Sequence, residues 1–210
     1  MANRGDTLRA VQQYQIARMR STHAALFQAP VYRPLCEFFL EDLYGPREAG
    51  SSHGAALHSL LTAMRPVLPS WIHEGALGLI DLHTHSERLD DRLARLLVSR
   101  EAAVPLSTSD FESAYIGCDD YEERLQQIAL SAAATRFGHA LARQPSAVRL
   151  LGGARRLRGL PRLEPLVAML ERGSRGFQLA LDIDAFVETM RAGETAYLDG
   201  LYARQRGLAR

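Results

Sequence analysis

Apolar residues in this chain recur at intervals of three and four and almost nowhere alternate, a spacing that gives a helix one greasy face and gives a strand none. Prolines and glycines cut that pattern into pieces. The first piece spans residues 6–28 and carries Leu8, Val11, Met19 and Leu26, after which Pro30 and Pro34 break and restart the chain. A second helix holds the string CEFFLEDLY and stops at Gly45 and Pro46. The string PREAGSSHG reads as a loop, followed by a short helix over residues 55–64.

Ser70 then stands where an N-cap belongs, opening a long helix whose stripe includes Ile72, Leu79, Leu82, Leu93 and Leu97. A short helix is expected over residues 111–115. Asp120 and Glu123 have the spacing of a capping box, and the helix they open turns Tyr121, Leu125, Ile128 and Ala132 inward. Two more helices follow, over residues 163–172 and 182–204, the last built on Ile183, Phe186, Val187, Met190, Tyr197 and Leu201. The expected fold class is all-α, an irregular bundle of six to eight helices, and a chain of 210 residues suits one domain, 1–210.

All 25 basic residues are arginine, so chemistry that needs a Schiff-base lysine, a pyridoxal-phosphate anchor or a P-loop lysine is excluded. With 24 acids against them the net charge is +1, too small to gather nucleic acid or anionic lipid over the whole surface. Cys36 and Cys118 form no CxxC pair and MANRGDTLRA is no secretory leader, which together suggest reduced thiols in a cytoplasm. No apolar run approaches the ~18 residues that span a bilayer, so no membrane partner is expected.

The string Phe38-Phe39-Leu40-Glu41-Asp42-Leu43-Tyr44-Gly45-Pro46 resembles the signature of the bacterial FFLEELY-motif proteins, an uncharacterised all-helical family. YQIARM ahead of it, SERLD at residues 86–90, SAYIG at 113–117 and MLERG with the later Phe177 are similar to that family as well, so the resemblance covers most of the chain. It implies a helical fold and carries no activity with it. Asp42 departs from the eponymous string, where a glutamate one methylene longer stands.

Asp42 also poses the main chemical question, because on a regular helix it lands between Leu35 and Phe38 on the apolar stripe. It has company. His83, Glu87 and Asp90, spaced i, i+4 and i+7, project toward the Leu79 and Leu97 side, while Asp81 and His85 point away. His139 falls in line with Ile128 and Ala132, and Glu194 lies between Met190, Ile183 and Leu201. Acids and imidazoles on four helices are the raw material of a carboxylate and histidine metal site, as in helical di-iron proteins, although the Glu-x-x-His pair of such bundles is absent. The commoner outcome is structural. Twenty-five arginines can pair these acids, Asp42 is expected to accept from a guanidinium or from helix N-terminal amides, and His83 is expected to donate to a carbonyl or carboxylate.

Arg149, Arg155, Arg156, Arg158 and Arg162 form an acid-free run that could grip phosphates, but no aromatics interleave, and a solvated helical face is the favoured reading, with no nucleic-acid partner expected. LGGARR lacks the spacing and the lysine of a phosphate loop, and no GxSxG elbow supports a hydrolase triad. His83 and His85 would diverge by about 200° on a helix, so they do not share one ion. These features describe a helical binding or interaction module whose partner is a second copy of the chain, another protein or a small ligand. The alternative is a helical enzyme or ligand-binding protein centred on Asp42, His83, Glu87, Asp90, His139 and Glu194, with no particular cofactor indicated.

Overall fold

The computed structural model describes residues 3–44, 69–144 and 164–205. The loop expected from PREAGSSHG, the helix expected over residues 55–64 and the arginine run of residues 149–162 lie outside the described residues. Within them the chain forms eight α-helices and no strand, an all-α irregular bundle.

Asn3 caps α1 (Arg4–Thr22), its side chain accepting from the Asp6 amide at 2.9 Å. The single helix expected over residues 6–28 is in fact two, because the chain turns at His23 before α2 (Ala24–Gln28). That turn brings the His23 ring inward. Gly193 makes room for it, since a Cβ there would stand 2.7 Å from the ring's Cε1.

α3 (Arg33–Glu37) continues without interruption into a π-turn over Phe38–Leu43, closed by the Tyr44 amide donating to the Phe39 carbonyl at 3.0 Å. This i→i+5 bond widens the helix by one residue. The stripe therefore shifts: Leu35, Cys36, Phe38 and Leu40 are buried, while Phe39 and Leu43 pack partly against the same core. Leu40 is inside where a regular helix would have kept it off the stripe.

Ser70 proves to be the first helical residue of α4 (Ser70–Ser99), and the capping position belongs to Pro69, whose carbonyl accepts from Ile72 and His73. α5 (Thr108–Gly117) is longer than expected because Ser107 caps it through the Asp110 amide. Asp120 precedes α6 (Tyr121–Ala142) but makes no capping bond, its carboxylate being drawn to Arg124. α7 (Glu164–Leu179) runs on past Arg172, where the helix was expected to end, and through Gly173 and Gly176. The reason is a close crossing: Gly176 lies against the Leu35 backbone, where a Cβ would come within 3.1 Å of its Cα, and Gly173 faces the Phe38 ring. Asp182 caps α8 (Ile183–Gln205) through the Ala185 amide.

α6 packs on α4, α7 and α8, α1 packs on α4, and α7 packs on α3. These contacts enclose two apolar cores. One gathers Leu26, Leu35, Phe38, Phe177, Phe186 and Val187, with Phe39 edge-on to Phe177. The other gathers Val11, Leu93, Leu97, Phe111, Leu198 and Leu201. Both cores draw on α8, and along that helix Glu194 falls between Val187 of the first and Leu198 of the second.

Candidate functional site

Charge enters the interior at that gap. On α1, Val11, Gln15 and Arg18 are spaced four and three apart, so Arg18 faces inward with the buried Val11 and Gln15. Its Nη1 donates to both oxygens of Glu194, at 2.7 and 2.8 Å, and its guanidinium lies 4.5 Å over the Tyr197 ring. His23 Nε2 meets the same carboxylate at 2.7 Å. Burial alone would push the Glu194 carboxyl up, but the His23 bond and the Arg18 charge together hold it down, at about 2.

A second buried group sits beside the first. Tyr44, the last residue of the π-turn motif, donates its hydroxyl to Asp90 Oδ2 of α4 at 2.8 Å. Asp90 is 3% exposed. Here burial outweighs the nearby charge of Arg124 and the Tyr44 bond, so the carboxyl is pushed up, to about 6. Arg124 of α6 is 1% exposed, with its guanidinium 4.3 Å over the Tyr115 ring and its Nε 3.4 Å from Asp120 Oδ1. Arg18 and Arg124 act electrostatically on both Tyr44 and Tyr115, which joins the two groups into one charged layer.

The layer is unevenly satisfied. Asp90 Oδ1, Asp120 Oδ2, Arg124 Nη2 and the Tyr197 and Tyr202 hydroxyls are buried and have no hydrogen-bond partner among the described residues. Native interiors leave few such atoms, and three of these belong to Asp90, Asp120 and Arg124.

The six sequence candidates are distributed as follows. Asp90 and Glu194 belong to the layer. Asp42 pairs with Arg172 of α7, Nε donating to Oδ2 at 2.9 Å, as expected for an acid on an apolar stripe. His83 and Glu87 meet each other at 3.1 Å near the surface, Glu87 with 64% of its side chain exposed. His139 Nε2 donates to the Ala180 carbonyl at 3.1 Å, and burial lowers its pKa. Among the described residues no group of three or more His, Cys, Asp or Glu side chains is arranged to hold a metal ion.

One orientation is reversed. His85, expected to point away, is buried and bonds the Glu123 carbonyl at 2.8 Å. A carbonyl only accepts, so Nε2 carries the hydrogen and Nδ1 faces the Arg88 guanidinium. The cause is α6, which covers the side of α4 that the stripe of Leu79 and Leu97 left for solvent. Arg18, His23, Tyr44, Tyr115, Asp120 and Arg124 were not among the candidates. The two arginines had a signal: each sits at helical spacing from a core residue, Arg18 from Val11 and Arg124 from Ile128.

Both thiols are free, and burial pushes them up, Cys36 to about 12 and Cys118 to about 11, which removes them as nucleophiles near neutral pH. No described helix is long and apolar enough to cross a membrane.

Fold and interior together define a class: an all-α bundle with arginine and carboxylate pairs sealed between two apolar cores. The chain belongs to the family described as a domain of unknown function (DUF8198), whose model matches residues 1–207. No curated protein and no solved structure matches it.

Proposed function

We propose that the protein is a helical binding module, a single α-helical domain of the bacterial FFLEELY-motif kind working in the cytoplasm, and that its ligand is a small polar molecule held at the Asp90, Arg124 and Asp120 end of the buried layer. The observation that carries this is the set of unpartnered buried atoms: two carboxylate oxygens ask for donors, and Arg124 Nη2 asks for an acceptor. A ligand with both, such as a hydroxylated or amide-bearing compound, answers all three. The guanidiniums of Arg18 and Arg124 make the same place unfavourable for a metal cation.

The motif supports the reading by dividing its residues among tasks. Phe38 and Phe39 pack the first core, Asp42 ties α3 to α7, and the widened turn delivers Tyr44 to Asp90.

The test is to purify the protein under native conditions, denature it and identify released small molecules by mass spectrometry, with Arg124→Met handled in parallel. Roughly one equivalent of a polar compound from the wild type and far less from the variant is the expected result. A high-resolution crystal structure with only water bonded to Asp90, Arg124 and Asp120 would overturn the proposal and leave a purely structural layer.

A further inference from the structure

An open cleft of about 620 Å³ lies on the outer side of α4 and α5, lined by Arg88, Asp91, Arg92, Arg95, Gly117 and Cys118 among others. Arg88, Arg92 and Arg95 follow one another at four and three residues, so one face of α4 presents three guanidiniums to it. A fourth adjoins them: Arg100 packs against Gly117, where a Cβ would stand 2.6 Å from its Nη2. A fifth, Arg4, reaches Asp91 from α1, Nε donating at 2.8 Å.

Against these five stand two carboxylates. Asp91 is shared by Arg4 and Arg95, and Glu123 is shared by Arg88 and Arg92. Among the described residues Arg100 bonds the neutral Ser113 hydroxyl, at 3.1 Å, and no carboxylate. Asp120 is engaged by Arg124 and also acts electrostatically on Arg92. Five guanidiniums stand with two bonded carboxylates, so positive charge is in excess among the groups bonded here, and the Cys118 thiol adds no negative charge because burial keeps it protonated. Donors are also in surplus. Each guanidinium carries five N–H groups, of which Arg88 and Arg95 spend, among the described residues, only those on Nη2.

We infer that this cleft is a binding site for a small phosphate-bearing anion, held by Arg88, Arg92, Arg95 and Arg100. Guanidinium forks match the paired oxygens of a phosphate, and a cleft of one sign concentrates the field that draws such an anion in. The site is separate from the buried layer, and neither proposal depends on the other.

Pyrophosphate is the probe, titrated calorimetrically into the full-length protein at constant ionic strength, with citrate and chloride as comparison anions. Pyrophosphate should bind, should weaken steeply as salt rises, and should lose roughly tenfold or more in affinity in Arg92→Gln and in Arg95→Gln. Arg191→Gln, on the far pair with Glu188, should bind like the wild type. Melting curves of each variant establish that it is folded, and Arg95→Gln leaves Asp91 its bond to Arg4. Binding no tighter than chloride, an equal loss in Arg191→Gln, or a clear preference for citrate would each overturn the assignment.

Discussion

Two carboxylates are buried against arginine a few residues from one another's networks, and they titrate in opposite directions. Glu194 receives Arg18 on both oxygens and His23 on one, and is held down at about 2. Asp90 receives one neutral hydroxyl, leaves Oδ1 bare, and is pushed up to about 6 although Arg124 is near. Proximity of opposite charge is not enough in an interior. What decides the sign is whether donors replace the lost water on every oxygen. Every oxygen of Glu194 has a donor, and Asp90 Oδ1 has none among the described residues.

The sharpest way to break the comparison is Glu194→Ala. It strands a buried Arg18 and should cost about 3–5 kcal/mol in urea unfolding, with the cost undiminished between neutral and mildly acid pH. Arg124→Met comes next. It removes the cation shared by Asp90 and Asp120 and should cost roughly 2–4 kcal/mol at neutral pH, but much of that should return at about pH 5, because Asp90 can take up a proton. If both variants respond to acid alike, the distinction fails.

Asp90→Asn tests the sign directly. The folded carboxyl at about 6 lies above its ordinary 3.8, so the folded state holds the proton more tightly and this group's contribution is full below that lower value and lost as pH rises through about 6. The amide carries no charge to bury. It should therefore stabilise the protein by roughly 1–3 kcal/mol near pH 8, a gain that disappears by about pH 4. Glu194 contributes the reverse slope, present above its ordinary 4.5 and lost as pH falls toward about 2. The smallest effect belongs to Asp42→Ala, since Arg172 is 56% exposed and water replaces its partner; about 1 kcal/mol or less is expected, falling further with salt.

Much of this was legible in one dimension. The three-and-four spacing identified helices because burial of one face is a local geometric matter, and of the two partners expected for Asp42, a guanidinium or helix N-terminal amides, the structure supplies the Arg172 guanidinium. Asp90 and Glu194 stood out as acids on greasy stripes. The same test applied to arginine would have found Arg18 and Arg124, which stand at helical spacing from Val11 on α1 and Ile128 on α6. It could not have found Tyr44. A regular helix would rotate that hydroxyl elsewhere, and only the i→i+5 turn at Phe39 and Tyr44 aims it at Asp90.

The sequence by itself determined that the chain would be helical, that lysine chemistry was absent and that several acids would need partners. Spacing, composition and the cost of burying charge are properties of the chain alone. Only the tertiary structure decided which acid was answered. Pairing depends on where neighbouring helices cross: Gly176 lets α7 close on α3, Gly193 lets His23 reach Glu194, and α6 turns His85 from surface to interior. Those contacts join residues far apart in the chain, and periodicity along one helix holds no information about what will lie across from it.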